Sequence, residues 1–360
     1  MAETLVEIPS VSRLSPRVIR ILGQNPGKFT LQGTNTYLIS SPEKSSPSAE
    51  SVPSILIDTA EGAPEYLDLV KKVLTGQHAD TGSQKRHITD IILTHWHHDH
   101  VKGLPSVLKT IADLSHQPPK IHKFPNQDQD PSIQSSIEGS SSASSLAALN
   151  DEAIMQAGSS ASLRALHTPG HTTDHLSFLL EEEGIFFSGD NVLGQGTSVF
   201  EDLGAYMGSL DRSLKVLEQA GAPEGGAGEE NKIFPAHGPV IEEGRKMIKT
   251  YRSHRLDREK QVLQLLGESS PSGKKDEETG SPVWTVMDLV GKLYAAYPEA
   301  LYPAAARGIF LHLHKLGAES KVKCTGADGT FLPPVTPLKV EYMELSWSPS
   351  SSATSGPGKL

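Results

Sequence analysis

The sequence predicts an α/β domain followed by a small helical domain, and three observations carry the prediction. A strand, a helix and a second strand succeed one another between Ile55 and Leu93, the pattern of packed α and β layers. Apolar runs that read as strands lead into His95, His171, Asp190 and His237, so metal-ligating side chains gather where strands end. Beyond a polar stretch at 269–281, Trp284 to Tyr297 and Pro303 to Leu316 show helical spacing of apolar residues, with proline tolerable at a first helical position.

In chain order, residues 1–16 read as an N-terminal extension, and residues 17–40 read as two strands around the Gly/Pro-rich turn Gly23-Gln24-Asn25-Pro26-Gly27. A Ser/Pro/Glu loop runs to Ser54. Ile55-Leu56-Ile57-Asp58-Thr59 is a short strand ending in a carboxylate, which either orients a metal-ligating histidine or caps the turn. Glu65 to Leu74 is an amphipathic helix, Ile88 to Leu93 a buried strand, and Leu104 to Leu114 a second helix. From about Ser115 to Gly158 the pattern lapses around a Ser-rich stretch at 132–145, so this segment reads as a largely disordered insertion with a short strand at Lys120–Lys123. Leu163 to Leu166 restores order. Leu176–Leu180 and Gly184–Ser188 form a hairpin around Glu181-Glu182-Glu183, Ile233-Phe234 is a further strand, and a long helix runs from Glu242 to about Leu266. That helix carries Arg252, His254, Arg255, Arg258 and Lys260, a solvated basic face or an anion-recognising one. The larger α/β domain is expected to span 17–266, a linker 267–281, and the small domain 282–345 with a hairpin near Gly326 to Gly329; a disordered tail is expected from Ser346.

The chemistry concentrates in Thr94-His95-Trp96-His97-His98-Asp99-His100. If the chain stays extended past Leu93, His95 and His97 fall on one side of it, with Asp99 and His100 on the ensuing loop. Imidazole nitrogen and carboxylate oxygen both suit zinc, and two pairs within six residues suit two adjacent ions. His171 follows a Pro-Gly turn, Asp190 follows a small Gly189, and His237 follows Pro235-Ala236. The expected division is His95, His97 and His171 around one ion, and Asp99, His100 and His237 around the other, with Asp190 between them. His167 and His175 are weaker candidates; His175 is expected to pack or to support a ligand. Asp99 is the residue expected to position a nucleophilic water.

Composition narrows the function. A net charge of -10 argues against a generally basic nucleic-acid-binding surface, and the single cysteine excludes a thiolate zinc cluster. No apolar run approaches the ~20 residues of a membrane span, and the acidic amino terminus lacks a secretory layout. A cytoplasmic location follows as the expectation.

With these residues placed, His95, His97, Asp99 and His100 resemble the His-x-His-x-Asp-His signature of the metallo-β-lactamase superfamily, and His171, Asp190 and His237 match its later ligands in order and setting. The resemblance implies a four-layer αβ/βα sandwich with two Zn2+ ions at one edge of its sheets. Asn25–Leu38 and Gly189–Thr197 look like one branch, which holds winged-helix-tailed endoribonucleases and fungal thioesterases that release polyketides from an acyl carrier protein. The expected function is a zinc-dependent thioesterase in which metal-activated hydroxide attacks the acyl thioester of such a carrier. Endonucleolytic cleavage of single-stranded RNA is the alternative.

Overall fold

The first 148 residues build a seven-stranded sheet whose strand order follows the chain. The structure, a computed structural model, describes residues 4–42, 49–139, 145–220, 230–324 and 340–350. β1 (Val11–Arg13), β2 (Val18–Leu22), β3 (Asn35–Ser40) and β4 (Val52–Ile57) are antiparallel neighbours. From β4 onward the sheet is parallel through β5 (Arg86–Leu93), β6 (Lys120–Lys123) and β7 (Leu146–Ala148). Each parallel step needs a crossover. The crossovers contain α1 (Pro64–Leu74), the short α2 (His98–Val101) with α3 (Leu104–Asp113), and α4 (Asp130–Glu138).

A second sheet holds β8 (Ile154–Gln156), β9 (Ser162–His167), β10 (Leu176–Leu180) and β11 (Ile185–Gly189), antiparallel in succession. After α5 (Leu203–Ala220), β12 (Ile233–Pro235) joins β11 in parallel. α6 (Gly244–Leu266) follows. Contacts divide the chain into two units, residues 1–200 with 205–249 and residues 201–204 with 250–360, and the division falls within α6.

The period of two along each strand decides the layers. Ile19, Ile21, Leu38, Leu56, Ile91 and Leu93 face one way and pack with Tyr66, Val70, Val73, Val107, Ile111 and Ile133 of the helices. Val18, Tyr37, Ile39, Ile55, Ile57 and Ile92 face the other way, into a core shared with Leu163, Ala165, Leu176, Phe178, Leu180, Phe187 and Phe234 of the second sheet. Leu166, Leu179 and Phe186 point away from that core and are also buried. α5 is tied to this second sheet, with Arg212 and Ser209 donating to the carbonyls of His167 and Pro169. Burial of each such Leu, Ile or Phe contributes about 1.5–3 kcal/mol.

The second unit has its own core. β13 (Trp284–Thr285), α7 (Val286–Leu293), α8 (Tyr302–Ala318), β14 (Val322–Cys324) and β15 (Ser346–Pro349) follow in order, and β15 is the central strand of an antiparallel three-stranded sheet. Thr285 and Asp288 close a reciprocal capping box at the start of α7. Trp284, Phe310 and Trp347 are buried, and Lys315 on α8 reaches Glu259 on α6 at 2.7 Å.

Several expectations change. Residues 115–158 are not a largely disordered insertion in the described parts, because beside the strand expected at Lys120–Lys123 (β6) they supply α4, β7 and β8; the low-complexity composition hid Ile133 and Ile137, both buried on α4. Residues 140–144 lie outside the described residues. The chain from Ser346 is a strand because Trp347 is buried, and Trp284 opens β13 before the helix begins. The hairpin expected near Gly326 and the tail beyond 350 lie outside the described residues. The helix α5 went unpredicted, although Leu203, Tyr206, Met207, Leu210 and Leu217 carry helical spacing.

Candidate metal centre

Strand ends converge to form the site. The chain turns immediately after β5, so the expected extension through His97 does not occur. His97 is the N-cap of α2, and Asp99 and His100 lie on that helix, not on a loop. The turn still aims His95 and His97 together, with His95 Nε2 2.9 Å from His97 Nδ1. His171, from the β9–β10 loop, brings Nε2 to 3.0 Å from the same His97 nitrogen. Asp190 closes this group, and Asp99, His100 and His237 form a second group. All seven residues named from sequence are thus brought together.

The carboxylate of Asp190 stands between the groups. Its Oδ2 lies 3.4 Å from His171 Nε2, while its Oδ1 lies 3.3 Å from His237 Nε2 and 3.6 Å from His100 Nε2. Asp99 Oδ2 faces His237 Nε2 at 3.2 Å and His100 Nε2 at 3.4 Å.

Hydrogen bonds behind the site orient its imidazoles. Asp58 Oδ1 accepts from the Thr94 amide at 2.8 Å, and its Oδ2 accepts from Thr94 Oγ1 at 2.9 Å and from His100 Nδ1 at 2.8 Å. Of the two alternatives for Asp58 the structure favours orienting a histidine, and the turn it holds is the one after β5 at Thr94, not the one that follows Asp58 itself. Because the Thr94 hydroxyl proton goes to Asp58, His95 Nδ1 is the donor in its 3.0 Å contact with Thr94 Oγ1. His171 Nδ1 donates to the Val199 carbonyl at 2.6 Å. In each of His95, His100 and His171 the outer nitrogen donates a hydrogen bond, which turns the inner nitrogen toward the site; binding a cation at His100 then displaces the proton that its carboxylate neighbours favour there.

His175 is fully buried outside the two groups and accepts the Asp190 amide at Nε2, 3.0 Å away. It supports the carboxylate between the groups, as expected of it. His167 is not brought in; its ring stacks on Phe124 with centroids 3.7 Å apart. Sequence reasoning missed Thr34 and Asn35. Thr34 Oγ1 donates to the Asp99 carbonyl at 3.0 Å, and Asn35 Nδ2 donates to the carbonyls of Pro235 and Gly238 at 2.9 and 2.8 Å, gripping the strand end that presents His237. An amide side chain at the first residue of a buried strand is the signal that marks Asn35.

Electrostatics divide the groups. Burial, reinforced by neighbouring imidazoles, holds His95 well below the usual imidazole value and brings His97 down to about 3. Burial also opposes charge on His100 and His237, but carboxylates outweigh it. Asp99, Asp58 and Asp190 hold His100 well above its ordinary value, and Asp190 with Asp99 brings His237 up to about 9. Asp99 and Asp190 are buried, yet His100 and His237 hold both well below the carboxylate range.

The donor set fits metal. His100 Nε2, His237 Nε2 and Asp190 Oδ1 are buried and face one another at 3.3–3.6 Å without a well-formed hydrogen bond among the described residues, an arrangement of buried polar atoms that a cation between them would satisfy. Imidazoles and carboxylates are ligands common to zinc and to other first-row divalent ions.

Comparison with known proteins agrees with this geometry. The description of the metallo-β-lactamase superfamily matches residues 53–237, and that of the β-lactamase-associated winged-helix domain matches residues 285–330. The chain belongs to the metallo-β-lactamase superfamily, a family of metal-binding hydrolases. It is 40% identical over 326 residues to the beta-lactamase-like protein 2 homolog of Drosophila melanogaster, which covers 90% of this chain and 96% of that protein. It is 37% identical over 294 residues to an atrochrysone carboxyl ACP thioesterase of Aspergillus novofumigatus, covering 81% and 74%. A beta-lactamase domain protein from Burkholderia ambifaria shares the fold, with a TM-score of 0.66 at 15% identity over 97% of this chain and 96% of that one. Among the described residues no helix is long and apolar enough to cross a membrane.

Proposed function

We propose that the protein is a dinuclear zinc hydrolase that releases an acyl chain of the polyketide type from an acyl carrier protein. His95, His97 and His171 would hold one ion, Asp99, His100 and His237 the other, and Asp190 would lie between them. The observation that carries the dinuclear reading is the split of the Asp190 carboxylate, with one oxygen toward each group of ligands. Zinc supplies a Lewis acid there and acidifies water from a pKa of 15.7 to about 7. Asp99 turns its carboxylate toward His100 and His237 and so sets where a nucleophilic water can sit. Asp58 and the Val199 carbonyl accept hydrogen bonds from the outer N–H groups of His100 and His171 and so turn the inner nitrogens toward the site. For the thioester, water adds to the carbonyl and the thiol leaves, giving a free acid and a free carrier thiol.

The substrate class draws its support from relatives. The thioesterase of Aspergillus novofumigatus and a second atrochrysone carboxyl ACP thioesterase, from Aspergillus chevalieri at 36% identity, match over most of this chain. A net charge of -10 weighs against RNA as a substrate. The test is a paired assay on zinc-loaded protein with an acyl-carrier thioester and a single-stranded RNA, each repeated with Asp99→Ala. Thioester cleavage that vanishes in the variant, with its circular dichroism unchanged, is the expected result. RNA cleavage lost in the variant, with the thioester untouched, would overturn the substrate assignment and favour the ribonuclease reading.

A further inference from the structure

Lys123 is the only buried lysine among the described residues, at 1% exposure, and it lies at the end of β6. Its ammonium nitrogen stands 2.6 Å from Asp130 Oδ1 and 2.6 Å from Asp174 Oδ2, and it donates to the Phe124 carbonyl at 2.9 Å. Asp174 is itself fully buried. It lies three residues beyond His171 on the loop that presents that imidazole, and its Oδ1 accepts from Thr172 Oγ1 at 2.7 Å.

The ion pair is the centre of a wider grip. Asn126 Nδ2 reaches Thr173 Oγ1 at 3.4 Å, and Phe124 stacks on His167, whose Nε2 contacts the Thr173 carbonyl at 2.8 Å. Asp130 Oδ2 accepts the Asn126 amide at 2.7 Å, which closes the gripping segment on itself. The stretch from Lys123 to Asp130, which belongs to the first sheet and the helix after it, therefore holds the β9–β10 loop of the second sheet.

A buried ammonium at this place is weak evidence for a stabilising role alone. An apolar replacement of a buried ion pair is often neutral or stabilising, whereas an ion pair defines position and direction. We propose that Lys123 is a positioning residue for the metal centre, which through Asp174 fixes the loop so that His171 meets His95 and His97. The inference rests on the metal reading above.

The test uses the full chain and two readouts: zinc uptake against a competing chelator, and thermal melting of the metal-free protein. A cobalt-substituted absorption spectrum reports the ligand geometry. Lys123→Met leaves the fully buried Asp174 carboxylate unmatched and should melt lower, whereas Asp174→Asn leaves Lys123 to Asp130 alone and should melt lower by less. The double variant Lys123→Met/Asp174→Asn removes the two fully buried charges, leaves the partly exposed Asp130 to solvent, and should regain most of the melting temperature. It should still bind one of its two metals about tenfold more weakly, the lower end for residues that support metal ligands, with an altered cobalt spectrum. Wild-type affinity and spectrum in a double variant that melts normally would reduce Lys123 to a structural tie. If the double variant does not fold, Thr172→Val decides, since it removes only the hydroxyl on Asp174. A smaller loss at the same metal supports the positioning role, and unchanged affinity overturns it. A wild-type chain that takes up no metal would overturn the metal reading and this inference with it.

Discussion

Replacing Gly189 with alanine tests how the site is built. Gly189 ends β11 with φ at +52°, and a Cβ there would stand 2.5 Å from His175 Nε2 and 2.9 Å from its Cε1. His175 has nowhere to retreat, because it is fully buried and bonded to Thr168 on its other nitrogen. Two terms add. The left-handed backbone costs an alanine about 1–2 kcal/mol, and crowding a packed interior costs about 1–3 kcal/mol more. The sum, about 2–5 kcal/mol, lowers the melting temperature by about 4–20 °C at 2–4 °C per kcal/mol. Displacing the imidazole also breaks its 3.0 Å bond to the Asp190 amide, so zinc affinity should fall in parallel. Calorimetric melting of the metal-free chain measures the first effect. A double-mutant cycle with His175→Ala isolates the crowding, since Gly189→Ala in that background should retain only the backbone term of about 1–2 kcal/mol. A melting temperature within about 2 °C of wild type, or an equal loss in both backgrounds, would refute the close packing of Gly189 on His175.

Three other outcomes follow from the same structure. Asp58→Asn removes the charge that accepts from His100 and Thr94 and should weaken zinc binding about 10–100-fold without unfolding the chain; unchanged affinity in a chelator titration would contradict the orienting role. In the metal-free chain His237 keeps its proton up to about pH 9, so zinc must displace it. Affinity should therefore rise with pH toward 9, with proton release visible by calorimetry in buffers of different ionisation enthalpy, and a pH-independent affinity would contradict this. In the second unit, burial and then Arg255, Arg258 and Lys315 bring His312 down to about 3. The unfolded chain then binds a proton below about pH 6.5 that the folded one refuses, so stability should fall as pH drops from 6.5 toward 3. His312→Leu should flatten that fall in urea unfolding between pH 7 and 4.5, and an unaltered slope would exclude His312 as its source.

Legibility differed between the site and its supports. His95, His97, Asp99 and His100 are adjacent in the chain, so their spacing was readable without a fold. Beyond the strand read at Lys120–Lys123, the segment to residue 158 was misread because Ser-rich composition outweighed a few apolar positions, yet α4 needs only Ile133 and Ile137 to dock. α5 was missed despite its periodic Leu203, Tyr206, Met207 and Leu210.

The residue types gathered at the site, and the alternation that turns Ile55, Ile57 and Ile92 one way and Leu56, Ile91 and Leu93 the other, lay within the sequence, because each depends on neighbours a few residues away. Tertiary structure alone decided that Asp190 offers one oxygen to each group, that Asn35 holds the strand end before His237, and that Lys123 reaches Asp174. Those contacts join residues from 19 positions apart (Asp190 and His171) to 200 (Asn35 and Pro235). Their distances are set by how two sheets close on a common core, which no local spacing encodes.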